Sequence, residues 1–161
     1  MSTPSKSLRT VELVSRVLVS AIFVAAGIDK ARHRQSTQRY MKSKNMPLVQ
    51  PLLGGALAVE LVVAPALALG LMPRWTAPLL SAFLVPTSLI FHDFWNYEGQ
   101  ERKMQSANFF KNMAIVGGLA VIAVRDYERV TSRSKDSSQP GLEQAEGPRP
   151  GYLDEAQFDV A

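Results

Sequence analysis

Cysteine is absent from these 161 residues, which excludes disulfides, zinc–thiolate sites, iron–sulfur clusters and thiol nucleophiles within the chain. Histidine is nearly as scarce, with two residues. A haem held by two histidines is therefore not expected. No His/Glu spacing on one helix suggests a zinc or di-iron site either, so no metal ligand set is assigned. The sequence also lacks a glycine-rich phosphate loop, a nucleophile with a placed base, and any aromatic–basic surface of the kind that holds nucleic acid. It thus offers no catalytic residue and no stand-alone catalytic site. The rarest thing of all is polarity within the apolar stretches.

The mean hydropathy of 0.00 resembles that of an ordinary soluble protein, but the average conceals a partition. Residues 131–161 are polar and rich in Pro, Gly and acids, while apolar residues gather into blocks at 11–28, 49–72, 75–91 and 109–124. A bilayer core of about 30 Å needs roughly 20 helical residues. The second block spans it unaided, and the others do so with their flanks. A soluble helix would carry a polar stripe of 3.6-residue period. Residues 56–68 and 77–91 have only Glu60, Ser81, Thr87 and Ser88 as polar members. The expected fold is therefore all-α: an integral membrane antiparallel four-helix bundle with spans at about 11–30, 49–72, 74–95 and 105–125. A segment of residues 1–10 precedes the domain of 11–130, and a disordered C-terminal tail follows over 131–161, too polar to offset its ordering entropy.

Short connections imply antiparallel neighbours. The turn Met72-Pro73-Arg74 is the tightest, and Trp75 and Trp95 bracket the third span like an aromatic belt. Four spans put both termini on one side. Basic residues near the membrane number seven on that side and eight on the other, so the positive-inside rule leaves the orientation open. The pairs Gly54-Gly55 and Gly117-Gly118 suggest close helix packing.

Ionisable groups at membrane depth are costly and call for a partner or a function. Glu60 lies about 16 Å along its helix from Val49, near the midplane. Pro65, one turn on, deprives the Leu61 carbonyl of its helical donor. Alternating helix direction brings the ends of spans one and three and the start of span four to one face. There Lys30, His92, Asp93, Asn108, Lys111 and Asn112 form a candidate polar cluster, with Glu60 deeper. Arg16, one turn after Glu12, can pair with it at i, i+4 or meet an anion or lipid headgroup.

These residues carry a resemblance. Arg16 followed by FVAAGIDK, Glu60 leading to Gly70 and a turn with Arg74, HDFW at 92–95, and NFFKNMAIVGGL at 108–119 resemble, in order and spacing, the DoxX family of small four-span membrane proteins. The likeness covers about residues 12–124. It implies a multi-pass protein of a bacterial cell membrane that works as an accessory or anchoring subunit of a quinone-linked or oxidative-stress redox complex. Its partners would be the lipid bilayer, redox-enzyme subunits or further copies of itself, and a quinone is the cofactor implied. Lacking Cys, this chain would organise such a site rather than carry electrons. A small-molecule transporter or binding protein using the Glu60 region, or a non-catalytic scaffold, is the alternative.

Overall fold

The computed structural model describes residues 6–137. Apart from short turns, these residues are helical, with no strand among them. Helix α1 runs over Lys6–Arg32, α2 over Arg34–Ser43, α3 over Val49–Ala58 and α4 over Ala64–Ala68, the last two joined by a π-helical turn, Val59–Val63. Helix α5 covers Pro73–Phe91 and α6 covers Gly99–Ser137, with a 3₁₀ turn at Phe94–Asn96 between them. Four stretches are long and apolar enough to cross a membrane: Lys6–Arg32, Val49–Ala68, Pro73–Asn96 and Gly99–Lys135. The molecule is thus a multi-pass membrane protein built as a four-helix bundle.

The core is formed by Phe23 of α1, Ala64 and Leu67 of α4, Ala77, Leu80 and Leu84 of α5, and Ile115 and Leu119 of α6. These side chains form one buried cluster, while large apolar residues such as Leu18, Val62, Leu79, Phe110 and Val121 are exposed. In water that exterior would be an aggregation surface, whereas acyl chains solvate it. Trp75 and Trp95 are both exposed at opposite ends of the third span, as the belt reading requires.

Two expectations need correction, and the segment between the first two spans adds an element of its own. No Gly or Pro lies between Ile28 and Met46. The chain breaks at His33 (φ −108°, ψ 38°) and re-forms as α2, which buries Met41 and packs on α1 and α3. The last helix runs past residue 125, and residues 131–137 of the expected tail are helical, since nothing breaks the chain between Gly118 and Pro140. Residues 138–161 lie outside the described residues, as does the expectation made for them. Contacts divide the chain between Glu128 and Arg129. Finally, the glycine pairs do not mark tight packing, for a Cβ added at Gly54, Gly55, Gly117 or Gly118 would meet nothing within 4 Å. The close approach is at Gly27 instead.

The second span has a built-in irregularity. Pro65 has no N–H, and its ring would clash with the carbonyl four residues back in a regular helix. The backbone opens into the π-turn, and the Ala64 N–H bonds to the Val59 carbonyl, five residues back. Helix α4 then ends at Gly70 (φ +76°). The Gly70 N–H bonds to Leu67 O at 2.9 Å and the Leu71 N–H to Ala66 O at 2.9 Å, which is a Schellman closure.

Candidate functional site

Ser20, Phe23 and Gly27 are the buried residues of α1, and their 3–4 spacing continues to Lys30 on the same face. At Gly27 the helix comes so close to the π-turn that an added Cβ would lie 2.8 Å from Leu61 Cδ2 and 2.9 Å from Glu60 Cβ. This approach brings Lys30 to Glu60. The Lys30 Nζ donates to Glu60 Oε1 at 2.6 Å, with side-chain exposures of 26% and 3%. Glu60 is thus the buried member, and Lys30 is the member that reaches outward. The second carboxylate oxygen of Glu60 is buried without a hydrogen-bond partner.

Beside this pair lies a cavity of about 500 Å³. Lys30, Thr37 and Tyr40 contribute its polar part together with His92, and Leu53, Phe83 and Ile90 are among its apolar walls. Helix α2 forms one side and is fastened by a second ion pair. Lys44 Nζ donates to Asp93 Oδ1 at 2.6 Å and to the Tyr97 hydroxyl at 3.1 Å. The Tyr40 hydroxyl adds a 3.3 Å bond to the Phe91 carbonyl. Burial opposes the Lys44 charge, but the Asp93 carboxylate and the Tyr97 hydroxyl outweigh it and hold this ammonium above the ordinary lysine range. Burial likewise pushes the Tyr40 phenol up, against the pull of Lys44.

The remaining residues of the predicted cluster separate into local pairs. His92 Nδ1 lies 2.9 Å from Gln105 Oε1, and buried Asn112 donates to the Ser88 hydroxyl at 3.0 Å. Lys111 meets no acid. It donates to Asn108 Oδ1 at 3.0 Å on an exposed face, which is the snorkelling alternative for a cation near a helix end. Of the seven residues proposed as one cluster, two pairs bond to each other, Lys30 with Glu60 across helices and Lys111 with Asn108 along one helix, and Asp93 and His92 stand nearby through α2 and the cavity wall. Asp29 pairs with His33 at the surface. Among the described residues, no group of three or more His, Asp and Glu is placed to hold a metal ion.

Arg16 stands apart from all of these. Glu12 lies 3.7 Å from Arg125, and the described ion pairs do not include the expected Glu12–Arg16 contact. The residues missed from sequence are Lys44, Tyr97, Gln105 and Ser88. Ser88 was visible as a rare polar residue in an apolar run, but Lys44 was one of several basic residues between the first two spans, with nothing to single it out.

The DoxX family model matches residues 11–93, a range that holds Arg16, Gly27, Lys30, Glu60 and Asp93 but ends before Asn108, Lys111 and Asn112. The inner membrane proteins YphA and YqjF of Escherichia coli strain K12 are each 31% identical to this chain, over 114 and 113 residues. These alignments cover 70% of this chain and 80% and 81% of the two relatives. No solved structure matches.

Proposed function

The chain belongs to the DoxX family, and from that premise we propose that it is an accessory or anchoring subunit of a redox assembly in a bacterial cell membrane, holding a lipophilic quinone-type carrier in the cavity beside Lys30. The observation that carries this reading is a cavity of about 500 Å³ with an ion pair at its edge. The size suits a ring with the first part of an apolar tail, within the common range for ligand sites. Lys30 has three N–H donors, and one goes to Glu60, so others are left for a carbonyl oxygen. Because Glu60 balances the ammonium, the pair is neutral overall. It therefore favours a neutral acceptor over an anion, which would bring net charge into a low-dielectric site. His92 lines the same cavity with Nδ1 engaged by Gln105, and its other ring nitrogen remains for a second polar contact.

In this reading the protein orients a carrier and joins it to partner subunits, and no residue of the chain exchanges electrons. The test is purification in mild detergent, extraction of bound lipids, and identification of co-purifying proteins. The wild-type chain should retain a quinone or a redox enzyme. Ala56→Phe, which fills the cavity from α3, should empty it. Lys30→Met should weaken retention about fivefold, the value of one hydrogen bond of about 1 kcal/mol. Recovery of neither quinone nor redox partner from the wild type would overturn the reading.

A further inference from the structure

Within α1, ten residues after its start at Lys6 and about 21 Å from Lys30 along the helix axis, Arg16 has no ion pair among the described residues. The Arg16 guanidinium fills the space that a side chain on Gly70 would need, with Nη2 3.2 Å and Cζ 3.3 Å from the position of an added Cβ. That contact sets its depth, because Gly70 opens the turn between α4 and α5 and so lies at the membrane surface. Its Nε is buried without a hydrogen-bond partner. One turn further along the same face, the Ser20 hydroxyl is also buried and unpartnered, and the residue is 2% exposed.

Several of the protein's own acceptors nearby are already engaged. The carbonyls of Pro65, Ala66 and Leu67 accept from Leu69, Leu71 and Gly70, and the Met72 carbonyl accepts from Trp75 and Thr76. Glu12 lies against Arg125, and Asp126 accepts the Arg74 N–H at 3.1 Å. A guanidinium carries five donors in a planar fork matched to a tetrahedral oxyanion. Leaving the buried Nε–H unused next to apolar helices is unfavourable. Arg9, Arg74 and Arg125 add positive charge at the same end of the bundle.

We propose that Arg16, seated over Gly70 with Ser20 beneath it, is the anchor of an oxyanion site that takes a phosphate ester at the membrane surface. The chemistry is that of a phospholipid headgroup or of a soluble phosphate, and the two are separable. The site is remote from the cavity, so it stands or falls independently of the quinone reading.

The full chain in a neutral detergent is titrated with phosphatidylglycerol, with diacylglycerol as the phosphate-free control, and separately with inorganic phosphate. Binding is read by native mass spectrometry and by the shift in thermal midpoint. Wild type should bind phosphatidylglycerol and not diacylglycerol. Arg16→Gln should weaken binding at least about tenfold, the order expected on losing a charge-assisted contact, and Arg102→Gln at the opposite end should leave it unchanged. Arg16→Lys keeps the charge but loses the fork, so it should bind several-fold more weakly, and it decides the matter if Arg16→Gln fails to fold. Binding of inorganic phosphate with the same dependence on Arg16 would identify a soluble ester as the ligand, and its absence would identify the lipid. Equal binding of phosphatidylglycerol by wild type and Arg16→Lys, or no Arg16-dependent binding of either probe, would overturn the proposal.

Discussion

Exposure is unequal within the Lys30–Glu60 pair, and this makes its two halves respond differently to mutation. Lys30→Met leaves a buried carboxylate with no cation, which should cost about 3–5 kcal/mol. Glu60→Gln leaves an amide that still accepts from Lys30, whose side chain is 26% exposed, and should cost only about 1 kcal/mol. Thermal unfolding in detergent measures both, and the double variant should recover part of the Lys30→Met loss. Gly27 sets the distance between the partners. Gly27→Ala forces a methyl group to within 2.8 Å of Leu61 and should destabilise by about 1–3 kcal/mol. Gly54→Ala, which meets open space, should be neutral or slightly stabilising. Glu60 was legible in the sequence because it is the lone charge in its block. Its partner could not be singled out, since side-chain reach across helices depends on Gly27, and an isolated glycine in an apolar helix looks like any other.

Helix α2 is held to the end of α5 by Lys44, Asp93 and Tyr97 rather than by a deep apolar face, for Met41 is its one buried residue. Lys44→Met should therefore loosen it, and amide exchange across residues 34–43 should quicken while α1 and α5 keep their protection. The pH dependence follows from the raised pKa of Lys44. Its contribution is fully present below the ordinary value of 10.5 and is lost as pH rises through the higher folded value. Protection of α2 that hinges on the Lys44 charge should accordingly stay constant from neutral pH to about pH 9 and decline only in stronger alkali. The four spans were readable because apolar runs of that length have few alternatives. Helix α2 was not, since a short polar segment stabilised mainly by tertiary contacts leaves almost no pattern in the sequence.

At the scale of the molecule, the core is narrow and the apolar exterior broad, so the fold depends on its surroundings. Removing detergent from the purified protein should cause aggregation rather than yield a folded monomer, as light scattering and size exclusion would report. Polar contacts inside the bundle are few and mostly pairwise: Lys30 with Glu60, Asn112 with Ser88 and His92 with Gln105. The converging helix ends were legible from topology, but the single cluster expected there was not what formed. Its members bonded instead to single groups on their own or a neighbouring element. The matched family range, residues 11–93, takes in the Lys30–Glu60 pair and the Asp93 partner of Lys44, so the first three spans carry the features on which the proposals rest.

The π-turn at Val59–Val63 amounts to one surplus residue in the second span, with Val62 turned outward. Each residue rotates an α-helix by about 100°, so dropping one from α3, ahead of the π-turn, would swing Ala64 and Leu67 relative to the start of the span and out of the core. Dropping Val62 while replacing Pro65 with alanine is different, because the two changes cancel, giving an unbroken helix whose two halves keep their facing. A relative without that proline could therefore be one residue shorter at this position and share the same bundle.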